Sequence, residues 1–169
     1  MITPAYVRTM AAYNTAMNQR SYEAAARLGD AERRLDQGAF WGSLHGTLCH
    51  LLWADRQWMS RFAGWDKPNH SQKDSAGLIE DFAALRAARA VADSRIETWA
   101  RGVDADWLAG DLVWFSGEAR TERRGNRAFL LVHLFNHQTH HRGQAHTLLT
   151  RLGQDPGVTD LPGVVQPTT

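Results

Sequence analysis

An all-α fold is predicted: an antiparallel four-helix bundle, with a small β-hairpin before its last helix. Four long segments carry apolar residues at helical spacing. Cap-forming residues bound most of those segments. Short connections between them favour antiparallel neighbours.

The first helix spans residues 3–28. Thr3 is placed to cap it and Pro4 suits the first helical position, where the missing N–H costs nothing. Tyr6, Met10, Tyr13, Met17, Tyr22 and Ala25 recur near the helical period, and Gly29-Asp30 ends the run. Residues 30–42 read as a connector with a short turn at Ala31–Leu35. Ser43 opens the second helix, which runs to about Phe62 with Leu44, Leu48, Leu51, Asp55, Trp58 and Phe62 near one face. Gly64 to Ser75 is a loop, rich in Gly, Pro, Asn and Ser. The third helix, from about Leu78 to Trp99, has a stripe of Phe82, Leu85, Ala88, Ala92, Ile96 and Trp99. Asp104-Ala105-Asp106 starts a short turn. Leu112 to Phe115, then Ser116-Gly117, then the polar run Glu118 to Arg124, read as a hairpin outside the bundle. The fourth helix runs from about Asn126 to Leu152 and stops at Gly153. The tail, 153–169, holds Gly and Pro and is expected to be an extended strap. Neither a repeat nor a composition shift divides the chain, so 1–169 is expected to be one domain.

With 169 residues, 43% hydrophobic and 22% charged, the chain can bury a sizeable core. Net charge is +1, and no concentrated basic patch argues for nucleic acid. The small cluster Arg120, Arg123, Arg124 and Arg127 reads as a solvated turn. No run approaches the ~18 apolar residues of a membrane span. Residues 1–10 lack a basic region followed by an apolar one, so no signal peptide is read. Cys49 is the only cysteine, which precludes an internal disulfide and fits a reducing compartment. A cytoplasmic protein with a small-molecule partner is the expectation.

Five of the eight histidines fall between residues 133 and 146. With His137 at the origin of a helical wheel, His141 lies about 40° away, and Leu130, Leu134, Leu148 and Leu152 all lie within about 60°. His137 and His141 therefore replace leucines in the core stripe. His146 points the other way, and His133 and His140 lie on the flank, where they need no function. A buried polar group without a partner costs about 1–3 kcal/mol. Imidazoles at i and i+4 project together and can share one metal ion, as on the helix of HExxH zinc proteases. Here the run is His137-Gln138-Thr139-His140-His141, without the glutamate that serves those proteases as general base. A third ligand must come from another helix. His50, His45 and Asp55 are the candidates, and the wheel does not choose among them.

The run Gly42-Ser43-Leu44-His45-Gly46-Thr47-Leu48-Cys49-His50-Leu51-Leu52-Trp53-Ala54-Asp55 resembles the helix-two signature of the DinB-like (DinB/YfiT) proteins. His137 to Gln144 resembles their helix-four signature. Tyr13-Asn14, Met17-Asn18 and Thr159-Asp160-Leu161-Pro162 are similar as well, so the likeness covers nearly the whole chain. It implies a four-helix bundle, commonly dimeric, with a divalent metal, usually zinc or nickel, on His50, His137 and His141. It departs at Cys49, where many relatives carry Asn, and at Thr15 or Ala16, where they carry an aromatic residue. Neither departure touches a ligand. Cys49 should point about 100° from His50 and read as a packed thiol.

Three neutral imidazoles leave the charge of a bound divalent ion uncompensated. Such an ion acidifies water, or binds and activates a thiolate. Two enzyme readings follow: a metal-dependent hydrolase, or a transferase or isomerase using a low-molecular-weight thiol, the second supported by the resemblance. The alternative is a non-catalytic metal-binding or stress-response protein, which a closed fourth ligand position would favour. Asp55 is a candidate to orient a ligand imidazole, or else to pair with Arg142. Arg142 is a candidate for an anionic substrate, and Trp53, near His50 on the wheel, for a wall of the metal pocket.

Overall fold

The computed structural model describes residues 1–117 and 119–167. It is mostly helical: α1 (Pro4–Ala26), α2 (Asp30–Arg34), α3 (Leu44–Ala63), α4 (Phe82–Arg101), α5 (Ala105–Ala109), α6 (Arg127–Arg151) and α7 (Leu161–Val164), with strands β1 (Asp111–Ser116) and β2 (Thr121–Asn126) just before α6. The expected caps are in place. Thr3 Oγ1 accepts from Tyr6 N, Ser43 Oγ from Gly46 N, and Asn126 Oδ1 from Phe129 N. Gly153, at φ +73°, takes the left-handed conformation that ends α6.

The third long helix starts at Phe82 rather than Leu78. The side chain of Asp81 accepts from Ala84 N and sets the start, and a 3₁₀ turn at Ser75–Gly77 uses the residues ahead of it. The hairpin is antiparallel, with Asp111 opposite Asn126 and Ser116 opposite Thr121. Leu112 and Trp114 pack inward, while Val113 and Phe115 face out. Glu118, at the start of the expected polar run, lies outside the described residues. The tail lies along α1 as a strap: Tyr13 Oη donates to Thr159 O (2.6 Å) and Arg20 Nη1 to Val158 O (2.7 Å).

The long helices pack α1 on α4 and α6, and α3 on α6 and α4. Their core has two apolar clusters. One joins Val7 and Ala11 of α1, Met59 and Phe62 of α3, Ile96 and Ala100 of α4, and Leu131 to Phe135 of α6. The other joins Tyr22 to Leu28, Leu44 to Leu52, Leu85, and Ala145 to Leu149. Between them lies a buried polar belt of Asn14, Asn18, Asp55, Arg89, Asp93 and Gln138. This layering fixes direction. Going from the first cluster to the second, α1 and α6 run forward and α3 and α4 run backward. The expectation of antiparallel helices throughout is therefore corrected: α3 and α4 are parallel neighbours, as are α1 and α6. The reason is the connection 64–81, which is not short. A 20-residue helix is about 30 Å long, and an extended segment of that connection's size can return the whole way.

Candidate metal centre

α6 carries buried apolar residues, Leu130 to Phe135 and Ala145 to Leu149, on both sides of a polar stretch. His50 of α3 and His137 and His141 of α6 meet at that level. One ligand-capable atom from each lies within 4.8 Å of the others. His50 Nε2 and His137 Nε2 are 3.2 Å apart. His50 and His141 are buried and His137 is half-buried. No carboxylate or thiol joins the group among the described residues.

The outer nitrogens fix the tautomers of two rings. Ser75 Oγ lies 2.8 Å from His50 Nδ1 and donates its one proton to Gln72 O (2.6 Å). It must therefore accept from His50 Nδ1–H, which leaves Nε2 bare. Gln144 Oε1 lies 2.7 Å from His141 Nδ1, and its amide nitrogen sits 3.3 Å from His140 Nε2. The amide NH₂ donates to His140, so its oxygen accepts from His141 Nδ1–H, and His141 Nε2 is bare too. A hydrogen bond from His137 to His50 would satisfy one of these lone pairs and strand the other. One cation shared by all three satisfies the set. Tetrahedral Zn–N bonds place two ligand nitrogens about 3.3 Å apart, close to the separation seen here. The donor set thus fits a divalent ion.

Burial keeps the rings neutral. It pushes His50 down to about 3, with His141 and His137 adding to the effect, and His137 down to about 3, with His141, His133 and His140 adding. His141 is lowered by burial as well. Neutral imidazole is the form that binds metal.

Aromatic rings enclose the centre. Trp41 stacks on His50 at 3.9 Å between centroids, and Trp53 lies nearly parallel to His50 at 5.7 Å. Trp53 Nε1 donates to His70 O (2.8 Å). Trp41 is placed by its own backbone: a Cβ at position 46 would sit 2.4 Å from Trp41 O, so only Gly46 lets the 38–42 turn close onto α3 one turn before His50. Ser75, Gln144 and Trp41 escape a reading of periodicity. Ser75 and Trp41 lie in connections, where no period exists. Gln144 sits three residues after His141, a spacing that could have flagged it.

The remaining candidates lie elsewhere. His45 Nε2 meets Ile79 O at 2.9 Å, outside the cluster. Cys49 is fully buried, with Sγ 3.4 Å from Ile79 O, and burial raises its thiol. Asp55 accepts from Arg89 Nη1 and from Gln138 Nε2, both at 2.6 Å. Its ion-pair partner is thus Arg89 of α4, not Arg142. Arg142 lies over the Tyr13 ring (5.5 Å) on the α1 side, and burial lowers it to about 10. His133 packs edge-on against Trp58 (5.1 Å).

No helix among the described residues is long and apolar enough to cross a membrane. Searches of curated proteins and of solved structures return no match. The DinB family model matches residues 1–168, nearly the whole chain, and the motifs it spans are those that bring the three histidines together: the chain belongs to the DinB family.

Proposed function

We propose that the four long helices form one bundle built to hold a divalent ion, zinc or nickel, on Nε2 of His50, His137 and His141. We propose further that the protein is a metal-dependent enzyme that activates a small nucleophile, as a hydrolase or as a low-molecular-weight-thiol transferase. The observation that carries this reading is the donor set: three imidazoles converge without a carboxylate, two of them with Nδ1 already committed. Three protein ligands with a fourth position open is the pattern of catalytic zinc, whereas structural zinc is closed by four.

When bound, the ion supplies Lewis acidity, which makes water or a thiol a nucleophile near neutral pH. The chain's own residues do the rest. Ser75 and Gln144 hold their imidazoles in the metal-binding tautomer and orientation. Trp41 stacked on His50 and Trp53 nearly parallel to it cover that imidazole with apolar surface. With no acidic residue in the group, the ion would keep its full charge, which favours an anionic nucleophile such as a thiolate.

Elemental mass spectrometry of the purified protein tests the centre. About one zinc or nickel ion per chain is expected, and none in a His137→Ala/His141→Ala variant that still folds. Metal retained by that variant would overturn the ligand assignment. With the ion in place, turnover of thiol plus electrophile, set against ester hydrolysis, decides the reaction. Turnover of neither would leave the metal-binding protein without catalysis as the reading.

A further inference from the structure

A groove of about 410 Å³ lies between α3, α4 and the segment 65–70, apart from the three histidines. Three cations line it: Arg56 from α3, Lys67 from the connection and Arg95 from α4. One carboxylate, Asp66, also lines it, so the local balance is two positive charges.

These cations differ from the arginines that pair with carboxylates. Arg33, Arg34, Arg89, Arg101 and Arg124 all pair with carboxylates. Among the described residues, Arg56, Lys67 and Arg95 form no ion pair. Arg56 is half-buried, and its guanidinium is held below its usual range by burial, then by the like charges of Arg89 and Arg95. A partly desolvated cation facing other cations is unfavourable unless an anion joins it. Arg95 lies over Trp65, with Cζ 3.9 Å from the ring centroid. A guanidinium stacked on a ring face keeps its in-plane N–H groups free to fork onto an oxyanion.

The walls are apolar where the charges are not. Trp65, Pro68 and Leu78 are partly buried along the groove. The volume falls in the range of small-molecule sites, about 300–1,000 Å³. We infer that this groove binds a small phosphorylated molecule, with its phosphoryl oxygens on Arg56, Arg95 and Lys67 and its apolar body along Pro68 and Leu78. A phosphate monoester dianion matches the two uncompensated charges, which a monocarboxylate does not.

The inference does not rest on the metal centre, and the test keeps the two apart. Phenyl phosphate is titrated into the full-length protein by calorimetry at fixed ionic strength in chloride buffer, with ¹H–¹⁵N spectra in parallel. Saturable binding that moves the Trp65 indole resonance is expected. Arg56→Gln and the exposed Arg95→Gln should each weaken it about tenfold or more, the size of a lost charge-assisted bond. The His137→Ala/His141→Ala variant should bind as the wild type does, and so should Arg123→Gln on the hairpin, which changes net charge equally. Binding lost with the histidines but kept without the arginines would place the ligand on the metal centre and overturn the proposal. So would binding that never saturates, or equal weakening by Arg123→Gln. Should Arg56→Gln fail to fold by circular dichroism, Arg95→Gln decides alone.

Discussion

His137 and Gln138 are consecutive residues of α6, and two different buried polar sites begin at them. From Gln138 the belt runs through all four long helices. Gln138 Oε1 accepts from Asn14 and Gln138 Nε2 donates to Asp55; Arg89 bridges Asp55 (2.6 Å) and Asp93 (2.8 Å); Asn18 donates to Asp93 (2.9 Å). Each charge there has an opposite charge against it. From His137 the other site runs to His50 and His141, where no opposite charge is present and bare nitrogens point at one another. Both sites are buried, and both are held by α3 and α6. The difference is where the polar atoms find partners. In the belt each charged group meets an opposite charge within the chain, which ties helices together. In the histidine cluster the outward nitrogens of two rings find partners, while the inward ones face only other imidazoles, which is what a ligand site requires.

Cutting the belt should give the largest effect. Arg89→Ala leaves Asp55 and Asp93 buried side by side without a cation. Removing one member of a buried pair costs about 3–5 kcal/mol. Urea unfolding of the metal-free protein should show that loss, while His137→Ala/His141→Ala, measured alike, should stay within about 1–2 kcal/mol of wild type. Similar losses in both would erase the distinction between a structural belt and a ligand site.

A smaller effect, of the opposite kind, is expected at the supports of the histidines. Ser75→Ala removes the acceptor from His50 Nδ1, and Gln144→Ala does the same for His141. Loss of such an outer partner typically weakens metal affinity about 10–100-fold. Competition with a chromophoric chelator measures it, and apo stability should hardly move. Wild-type affinity in both variants would mean that the imidazoles are oriented by packing alone.

The two sites also differ in how far they could be read in advance. His137 and His141 stand out because α6 has a leucine stripe for them to interrupt. His50 does not, because Leu44 to Asp55 are all buried, so that part of α3 has no exposed side against which a stripe could be defined. The wheel could therefore not separate His50 from His45 or Asp55, and family likeness pointed to what periodicity left open. Arg89 and Asp93 were invisible as a belt since their stripe reads as Leu85, Ala92 and Ile96, with the charges just beside it. Helix boundaries were legible from Thr3, Ser43, Asn126 and Gly153, which act locally. Helix direction was not, because the path of the connection 64–81 depends on contacts made at a distance.

The effect that separates the sites by sign is the dependence of apo stability on pH. His50 and His137 are held near 3 in the fold, against an ordinary imidazole value of about 6.5. Between those values the unfolded chain binds protons that the folded one does not, so their contribution is complete above about 6.5 and is lost as pH falls toward 3. In the belt, burial outweighs the help of Arg89 and pushes the Asp93 carboxyl up to about 6. Its contribution has the other sign: over the range above the ordinary carboxylate value and below 6, the folded chain binds the extra proton and stability falls as pH rises. The two partly cancel in the wild type. A His50→Phe/His137→Phe variant, free of metal, removes only the first. Thermal melts from pH 4 to 7 should then show the variant gaining on the wild type as pH falls. Parallel melting curves would mean that the imidazoles are protonated as freely in the folded protein as in the unfolded chain, and that the cluster is not the dry, neutral site on which metal binding depends.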